Sequence, residues 1–532
     1  MITKGIIKKG EYFDSVSLMN TAKELGKLKG VADCAVVMGT KENRSILQNS
    51  GLLLPEFDKS GDADLLIAVK AQDEAAVSAA LEKLNSLLGR KKPAASAGAA
   101  PRPRSLDAAV EGLPGANLAL ISVAGRYAGA LAMSALRKGL HVMLFSDNIS
   151  LEQEIKLKQF GRGNGLLVMG PDCGTAIING VPLAFANVVK RGTIGMVAAA
   201  GTGLQEVTCI VSNEGGGVSQ AIGTGGRDIK KDVGGIMFLE GLKALIADKE
   251  TKTILLVSKP PYPEVMKKIS AQAAKTDKPV VAVFLGGDKA VAQKAGLAAA
   301  SDLKEAALLA LHADAYAGKK SAKAVLSTAA KTVQARLLSD QKKLKSEAKK
   351  LSAKVGRGRK YVRGLFSGGT FCTETQLIMK DLLGEVYSNV PLSAELKLAD
   401  SLKSVKNTVI DLGEDEFTVG RPHPMIDYAL RCKRIIAEAQ NKDVAVIALD
   451  VVLGYGSHGD PLSELLPAIE KARKGAGKGI VFVASVTGTD ADPQSRGRVL
   501  EGLRAAGVAA YGFNADAAVV AGHIIRFLGG AK

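Results

Sequence analysis

The sequence repeatedly alternates an aliphatic strand, a glycine turn and a helical segment. In the middle of the sequence the aliphatic runs are Leu118–Val123, Val142–Phe145, Gly165–Met169, Ile194–Ala198, Val218–Ile222, Thr253–Val257 and Val280–Phe284. The pattern returns at Tyr361–Phe366, Thr408–Leu412, Val444–Leu449, Ile480–Val486 and Val508–Tyr511. Near-continuous aliphatic runs are typical of parallel strands that are covered on both faces. The sequence therefore predicts doubly wound α/β units, which bind ligands at the carboxyl ends of their strands.

A shorter piece precedes these units. Gly5–Lys8, Cys34–Met38 and Asp64–Val69 have the composition of strands, and helical patterns near Ser15–Leu28 and Glu74–Leu88 follow the first and the third. This order predicts a small N-terminal α+β domain.

Two basic stretches carry almost all of the net charge of +18. Between Lys319 and Lys360 there are fourteen Lys and Arg against Asp340 and Glu347, and Arg90–Arg104 holds five basic residues and no acidic one. No aromatic residue interleaves with the positive charges from Lys319 to Arg359, which favours a solvated connecting helix over a nucleic-acid surface. The Pro- and Ala-rich second stretch is typical of a flexible linker. We expect no nucleic-acid partner.

Several other classes of protein are disfavoured by what the sequence lacks. No uncharged apolar run approaches the roughly 20 residues that span a bilayer, and the Met-Ile-Thr-Lys start lacks the apolar stretch of a secretory signal. The five cysteines are scattered without a CxxC pair, and no HExxH or other metal-ligand spacing occurs. No GxxxxGK[ST] loop or complete GxGxxG fingerprint is found. We expect a cytoplasmic protein with no membrane association, no protein-held metal and neither P-loop nor standard nicotinamide chemistry.

Three strand–glycine–helix junctions are candidate phosphate- or carboxylate-binding loops. They hold Gly201, Thr202 and Gly203, then Gly225, Gly226 and Arg227, and finally Ser367, Gly368 and Gly369. Glycine permits close backbone approach, and a helix N-terminus presents free N–H groups to an anion. Parallel folds also use glycine in such turns for steric reasons, so a structural role remains open for each loop alone.

Two of the five histidines lie in polar loops that follow strands. Arg421 and His423 flank Pro422 in a pattern that suits a carboxylate or phosphate clamp. His458 follows the strand Val444–Leu449, at the carboxyl edge where sites form. His141, His312 and His523 fall in strand or helical patterns, where packing or surface roles are expected.

Several motifs carry a resemblance to the α subunit of succinyl-CoA synthetases and, more closely, to the FdrA/YahF family. They are Gly170-Pro-Asp-Cys-Gly-Thr-Ala-Ile-Ile-Asn179, Gly192-Thr-Ile-Gly-Met-Val-Ala-Ala-Ala-Gly-Thr-Gly-Leu-Gln-Glu206, Gly223-Thr-Gly-Gly-Arg-Asp228, Ser146-Asp-Asn148, Ser258-Lys-Pro-Pro261, Gly420-Arg-Pro-His-Pro-Met-Ile-Asp427 and Gly454-Tyr-Gly-Ser-His-Gly-Asp-Pro461. The resemblance covers most of the chain. It implies a Rossmann-like domain of the CoA-binding type and two flavodoxin-like ligase-CoA domains, so that CoA is a candidate ligand although no cofactor is certain.

This resemblance divides the chain into consecutive segments. They are a small α+β domain at 1–89, a basic linker at 90–105, the Rossmann-like domain at 106–245, the ligase-like flavodoxin domain at 246–316, a basic helical linker at 317–359 and the second ligase-CoA-like flavodoxin domain at 360–532.

Two departures from the synthetases bear on the chemistry. In the synthetases a histidine carries the phosphoryl group, and the segment that resembles its surroundings, Ala295-Gly-Leu-Ala-Ala299, has Leu297 in its place. The glutamate that orients that phosphohistidine is retained as Glu206. No segment outside the α/β blocks is long enough for the ATP-grasp domain of a synthetase β subunit. The resemblance therefore implies a protein that does not run the ATP-driven cycle alone.

FdrA-type proteins are associated with oxamate carbamoyltransferase, and this association implies a carbamoyltransferase subunit of purine (allantoin) catabolism that acts on oxamate or oxalurate and carbamoyl phosphate. The expected catalytic residues are then His458, His423 and Glu206, with the glycine loops, Arg227 and Arg421 holding phosphate or carboxylate. Other transferase subunits would be partners in a hetero-oligomer, with a homodimer as the other arrangement. Two further readings stay open: an acyl-CoA synthetase (succinate–CoA ligase-like) subunit without its own nucleotide-binding domain, and a non-catalytic regulator or scaffold.

Overall fold

The computed structural model of the protein describes residues 1–11, 15–40, 43–44, 47–48, 50–88, 103, 105–123, 125–418 and 422–529. The chain forms two compact units. The first comprises 1–104 and 415–423, and the second comprises 105–414 and 424–532. Each unit is described separately.

The first unit is built on an antiparallel sheet in the order β1-β3-β2. Its elements are β1 (Ile2–Lys8), α1 (Ser15–Gly26), β2 (Val31–Met38), β3 (Leu65–Ala71) and α2 (Glu74–Leu88). Leu65, Ile67 and Val69 of β3 are fully buried with residues of the two helices, whereas Leu66 lies in a second apolar cluster with Phe57. The small N-terminal α+β domain predicted from the sequence is confirmed.

The second unit begins with a parallel sheet in the order β4-β5-β6. The elements of this part are α3 (Leu106–Gly112), β4 (Leu118–Ile121), α4 (Gly125–Arg137), β5 (His141–Leu144), α5 (Leu151–Gly163) and β6 (Val168–Met169). Strand and helix alternate as the aliphatic runs predict, and Ala128, Ala132 and Leu136 of α4 cover one face of the sheet.

A second sheet of this unit runs in the order β13-β12-β11-β9-β10-β7-β8. Its elements are β7 (Thr175–Ile178), β8 (Val181–Ala184), β9 (Arg191–Ala198), α6 (Gly201–Asn213), β10 (Val218–Gly223), α7 (Ile236–Ala247), β11 (Thr253–Ser258), α8 (Pro263–Ala273), β12 (Val280–Phe284), α9 (Lys289–Lys294), β13 (Ala298–Ala300) and α10 (Leu303–Asp314). Strands β9 to β13 are parallel, and every residue of β11 and β12 is buried.

After α11 (Ala322–Ser352), a further sheet runs in the order β15-β14-β16-β17-β18, with all neighbours parallel. Its elements are β14 (Tyr361–Phe366), α12 (Gly369–Leu383), β15 (Thr408–Asp411), α14 (Ala429–Glu438), β16 (Val444–Val452), α15 (Pro461–Arg473), β17 (Val481–Thr487), α16 (Arg496–Ala505), β18 (Ala509–Tyr511) and α17 (Asn514–Phe527). The short helix α13 (Asp415–Thr418) is grouped with the first unit.

The two large sheets of the second unit share one topology. Numbered in chain order from β9 or from β14, the parallel strands follow the flavodoxin-like order 2-1-3-4-5 in both. Each first strand is followed by a glycine-initiated helix, α6 or α12, and each last strand by a long helix, α10 or α17. The predicted fold class, a Rossmann-like part with two flavodoxin-like ligase domains and a small N-terminal domain, is confirmed.

The predicted boundary at 245/246 passes through the larger of these sheets. Strand β9 pairs with β11 from Thr253↔Ile194 to Val257↔Ala198, so segments on either side of the boundary form one sheet. In doubly wound folds the first strand lies inside the sheet, and later strands are added on both of its sides. Sequence order alone does not reveal that arrangement.

The long helix α11 has 31 residues and lies within the stretch predicted as a basic connecting helix. Its apolar positions Val325, Ala329, Val333, Leu344 and Ala348 are buried in the main hydrophobic core. The lysines of its opposite face are exposed. One face of the helix therefore packs on the domains that it connects, whereas most of the predicted 90–105 linker lies outside the described residues.

No helix in the described part of the chain is both long enough and apolar enough to cross a membrane.

Candidate functional site

The first glycine loop joins the buried strand β9 to helix α6. The N-cap residue Ala200 supplies no side-chain cap, so the N-terminal N–H groups of α6 are not satisfied by a capping side chain. Gly201 is exposed, and a Cβ atom placed on it would meet no atom within 4 Å. The start of α6 is thus open to a ligand and has the positive end of a helix dipole.

The third glycine loop meets the first directly. A Cβ atom on Gly368 would lie 2.5 Å from Thr202 Cγ2, and a Cβ atom on Gly203 would lie 2.9 Å from Thr370 Cγ2. These contacts are reciprocal, because each helix start contributes one glycine and one threonine. Only glycine allows the two helix N-termini to approach this closely. The structure therefore brings together the N-termini of α6 and α12.

The second loop lies beside the first. Thr224 N donates to Ala198 O at 2.8 Å, and a Cβ atom on Gly226 would lie 3.9 Å from Ala199 O. Gly225 has a φ of +81°, and a Cβ atom there would collide with the carbonyl of Pro171, so the position requires glycine. All three predicted loops therefore converge at one edge of the second unit.

Arg227, the predicted anion-binding side chain of the second loop, already has protein partners. Its Nε lies 2.8 Å from Glu154 Oε2, and its Nη2 donates to Ile149 O at 2.8 Å. Behind it, the fully buried Lys158 Nζ lies 2.8 Å from both Glu154 Oε1 and Asp228 Oδ1. The Arg227 side chain is still 41% exposed. In this structure its guanidinium anchors the loop through Glu154 and Ile149.

Glu206 and Glu374 form matching contacts between the two ligase-like domains, which are built on strands β9–β13 and β14–β18. Glu206 on α6 accepts a hydrogen bond from Asn514 N, the first residue of α17, at 2.9 Å, and another from Thr487 Oγ1 at 2.5 Å. Glu374 on α12 accepts from Leu303 N, the first residue of α10, at 2.8 Å. Each carboxylate therefore caps the last helix of the opposite domain.

Both carboxyl groups are buried, and this changes their ionisation. Burial raises the pKa of Glu206 above its usual value, although the Thr487 and Asn514 hydrogen bonds oppose the shift. Burial, followed by the negative charge of Asp302, raises the pKa of Glu374 to about 8. Asn514 Nδ2 donates to Glu374 Oε2 at 2.7 Å and links the two carboxyls into one buried network. In this structure Glu206 joins the domains, while its predicted catalytic role remains a prediction.

Two aspartates lie around the start of α12. Asp450 accepts hydrogen bonds from Ser367 N at 2.9 Å and from Ser367 Oγ at 2.7 Å, so the donors of Ser367 are occupied. Asp411 Oδ2 lies 2.7 Å from the point that a Cβ atom of Gly369 would occupy. Burial raises the pKa of Asp411 to about 7. The third loop therefore has two carboxyl groups beside it, those of Asp411 and Asp450. An anion would find fewer free hydrogen-bond donors at Ser367 than at the start of α6.

The imidazole of His458 is held in a packed loop. Its Nδ1 accepts from Asp460 N at 3.1 Å, its Nε2 lies 3.1 Å from Glu464 Oε1, and its ring stacks on Tyr428 at 5.1 Å. The side chain is 14% exposed. Both ring nitrogens thus have partners, and no contact joins His458 to the glycine loops within the described residues.

The predicted clamp of Arg421 and His423 remains a prediction. Arg421 lies outside the described residues. His423 is half-buried and is grouped with the first unit, whereas the loops belong to the second.

Leu297 lies away from the loops. It precedes β13, at the amino end of a parallel strand, and is 4% exposed in an apolar cluster with Ala292. The glycine loops follow β9 and β10 at the carboxyl edge, where the segment after β12 is Leu285-Gly-Gly-Asp288. This segment also contains no histidine. The sheet that contains β9 and β10 therefore places no imidazole at the edge where the glycine loops lie.

Four residues of this region are not among the predicted site residues: Glu374, Asn514, Asp411 and Asp450. Glu374 follows Gly369 by the same number of residues as Glu206 follows Gly201. A comparison of the sequences of the two helix starts would therefore reveal Glu374. Asp411 and Asp450 each come at or near the end of an aliphatic strand, which is the position expected for site residues. Asn514 has no such signal, because its role depends on the contact between domains.

Two family models match the chain. One, described as AllF, heavy metal-associated domain, matches residues 1–103, and the other, described as CoA-ligase, matches residues 365–524. A relative described as uncharacterized protein YahF, from Escherichia coli K12, is 42% identical over 511 residues and covers 96% of both chains. The chain belongs to the FdrA/YahF family. The predicted family is thereby confirmed.

More distant relatives include a succinate–CoA ligase [ADP-forming] α subunit from Staphylococcus epidermidis. It is 28% identical over 185 residues, which cover 33% of this chain and 58% of the relative. Among solved structures, the apo form of a dinucleotide-forming acetyl-coenzyme A synthetase 1 from Ca. Korarchaeum cryptofilum is 14% identical, with a TM-score of 0.34, and covers 79% of this chain and 85% of that one. The chain carries a CoA-ligase domain and is similar to succinate–CoA ligase α subunits.

These relatives correct one prediction. The assignment to carbamoyltransferases is wrong, because the matched domain is a CoA-ligase and the named α subunit belongs to a succinate–CoA ligase. Nothing in the comparisons supports oxamate as substrate or a place in purine catabolism. The alternative reading, a subunit like those of acyl-CoA synthetases, agrees better with the family.

The name of the N-terminal model implies a heavy metal, but the residues there do not fit one. Residues 1–103 contain a single cysteine, Cys34, and no histidine, and the Cys34 thiol donates to Ala22 O at 3.0 Å. Soft metal ions are bound by sets of thiolate and imidazole ligands. Within the described ranges, no group of three or more His, Cys, Asp or Glu residues could hold a metal ion. We derive no metal chemistry for this domain.

Proposed function

We propose that this protein is a subunit of an acyl-CoA synthetase-like acid–thiol ligase whose nucleotide-binding domain is supplied by another subunit. The reaction assigned to this chain is the exchange of an acyl phosphate and CoA with an acyl-CoA and phosphate. In the forward direction the thiol sulfur bonds to the acyl carbon, and the bond between that carbon and the phosphate oxygen breaks.

One observation supports this proposal most strongly: the reciprocal contact between Thr202 and Gly368 and between Gly203 and Thr370. It sets two helix N-termini side by side, with the open Gly201 next to them. Paired helix N-termini favour phosphate groups, because free N–H groups and both dipoles act on the same charge. A negative charge that develops on a departing phosphate would be stabilised there.

The sequence contains no histidine between His141 and His312. This supports a reaction in which no histidine of that segment carries the phosphoryl group. An acyl phosphate can react with the thiol directly, so the proposed exchange needs no histidine in that segment. CoA is a substrate in this scheme, and the small acid that forms the acyl group is a carboxylate of unspecified length. The nucleotide-binding subunit makes a hetero-oligomer the proposed assembly.

The proposal is tested on the full-length purified chain. Acetyl phosphate or succinyl phosphate is incubated with CoA without nucleotide, and acyl-CoA formation is followed by chromatography. Acyl-CoA is expected together with an equal amount of phosphate. If neither acyl phosphate yields acyl-CoA and phosphate does not bind in calorimetry, the proposal fails.

A matched pair of variants locates the site. In Gly368→Ala the new methyl group enters the space of Thr202, so phosphate binding and turnover are expected to fall. In Gly163→Ala the methyl group meets no atom within 4 Å, so both are expected to stay at the wild-type level. Equal behaviour of the two variants would remove the paired helix starts from the mechanism.

A further inference from the structure

We propose that the carboxylate of Asp411 is the base that accepts the thiol proton when CoA attacks the acyl phosphate. This inference rests on the function proposed above and goes beyond it, because it assigns the proton transfer to one atom, Asp411 Oδ2. Four observations support the assignment: the position of Asp411, its burial, its incomplete hydrogen bonding and the charges around it.

Asp411 ends strand β15, at the carboxyl edge where the glycine loops lie. Its Oδ2 faces Gly369, the first residue of α12. The preceding residue, Gly368, contacts Thr202 at the start of α6. Only the two glycines separate the carboxylate from the contact between the helix N-termini, so a phosphate bound there would bring its acyl group near Asp411.

The hydrogen bonding of Asp411 leaves one oxygen available. Oδ1 accepts from Gly413 N at 2.9 Å. No hydrogen-bond donor to Oδ2 is found in the described part of the chain, although the residue is only 2% exposed. Oδ2 therefore has an open hydrogen-bonding position that can take a proton.

Asp450 provides an internal comparison. It belongs to the same sheet edge, but both of its oxygens accept from Ser367 and it forms an ion pair with Arg431 at 3.2 Å. Asp450 is fully buried, and its contacts fix the loop. Asp411 lacks such a set of partners, so a purely structural role explains Asp450 better than it explains Asp411.

The charges that face Asp411 come from several elements. Burial raises its pKa to about 7, and Glu414 in the following loop and Asp450 on β16 act in the same direction. Lys259, which follows β11, lowers it. Burial, followed by the negative charge of Asp411, raises the pKa of the Cys372 thiol on α12. A base that titrates near the working pH is deprotonated often enough to act and basic enough to accept a proton.

The step is balanced without any further reactant. The thiol S–H bond breaks, its proton goes to Asp411 Oδ2, and the sulfur electron pair forms the bond to the acyl carbon. The bond between that carbon and the phosphate oxygen breaks, and phosphate leaves with the electron pair. The proton then passes from Asp411 to solvent or to the departing phosphate.

The test compares Asp411→Asn with wild-type protein in the nucleotide-free acyl phosphate and CoA assay. The asparagine keeps the shape of the side chain but cannot accept the proton, so kcat/KM is expected to fall by roughly 10²- to 10⁴-fold. Wild-type kcat/KM is expected to rise with pH through about 7 and then level off, and the variant is expected to lose this inflection. Asp381→Asn, an exposed position on the same helix α12, serves as the matched control and is expected to behave as wild type.

A second variant keeps the inference testable if Asp411→Asn does not fold. Lys259 is exposed, so Lys259→Met is expected to fold, and loss of its positive charge is expected to move the inflection to higher pH. An unchanged pH profile in Lys259→Met, or a folded Asp411→Asn with wild-type kcat/KM and inflection, would overturn the inference alone. If the wild-type protein forms no acyl-CoA, the inference fails, and if it does not bind phosphate either, the proposed function fails as well.

Discussion

Glu206 and Asn514, which are 308 residues apart in the sequence, are joined by a 2.9 Å hydrogen bond between the Glu206 carboxylate and the Asn514 backbone N–H. Glu374 makes the equivalent bond to Leu303 N in the opposite direction. Each ligase-like domain therefore caps a helix of the other. The pair of contacts follows from the shared topology of the two sheets.

The first prediction concerns this pair of caps. Glu206→Ala leaves the buried Asn514 N–H without its acceptor, and Glu374→Ala does the same to Leu303 N–H. A buried donor that loses its partner costs about 1–3 kcal/mol, so each variant is expected to lower the free energy of unfolding by that amount. Urea denaturation followed by circular dichroism measures the change. Glu82→Ala, an exposed position on α2, is the control, and a result within error of it for both caps would contradict the prediction.

The second prediction concerns pH. The pKa of Glu374 is raised from its usual 4.5 to about 8 in the folded protein, so the folded state binds more protons than the unfolded state between these values. Stability is therefore expected to fall as pH rises from about 4.5 to about 8, and the contribution of Glu374 is expected to be constant above that range. Glu374→Gln cannot ionise and is expected to flatten this part of the curve. Thermal unfolding across this pH range tests the prediction, and a variant as steep as wild type would refute it.

The third prediction concerns the buried cation of α5. Lys158 is fully buried and forms ion pairs with Glu154 and Asp228. The other carboxylate oxygen of Asp228 accepts a hydrogen bond from Phe238 N at 2.7 Å. Lys158→Met leaves the buried Asp228 without its cation and Glu154 with Arg227 alone, which is expected to cost about 3–5 kcal/mol. Lys156→Met, on the exposed side of the same helix, is expected to change stability by less than about 1 kcal/mol. Similar losses in the two variants would show that the buried network is not what stabilises the loop.

The fourth prediction separates packing from chemistry at His458. The ring stacks on Tyr428 and contacts Glu464, so His458→Ala is expected to lower the free energy of unfolding by about 1–3 kcal/mol. His458→Phe retains the stacked ring but loses the proton. If His458 transfers protons, as the sequence predicts, His458→Phe is expected to keep more of the stability than His458→Ala and to lose turnover to a similar extent. Wild-type turnover in a stable His458→Phe protein would exclude that role.

The sequence predicts the parallel sheets well, because aliphatic runs report strands that are buried on both faces. Val280–Phe284 coincides with β12, and Thr253–Val257 differs from β11 by one residue. Two of the glycine loops are also visible in the sequence, since α6 and α12 begin within them, at Gly201 and Gly369. Their convergence is a consequence of strand order within the sheets.

Other parts of the site could not be predicted. The partners of Glu206 and Glu374 come from distant parts of the chain, and no local pattern marks Asn514 or Leu303 as their donors. The assignment of Leu297 illustrates a different difficulty. Its flanking residues resemble a synthetase motif, but its position before β13 sets it at the opposite end of the sheet from the loops. Only the direction of the strands distinguishes these two ends.

The 31-residue helix α11 keeps both ligase-like domains in one polypeptide. When two such domains belong to separate subunits, dilution separates them, and the fraction paired depends on protein concentration. A covalent connection replaces that dependence with a fixed effective concentration, which short tethers set in the millimolar range. The specific activity of this chain should therefore be independent of dilution as far as the pairing of its own two domains is concerned, and any loss of activity on dilution would report the release of another subunit.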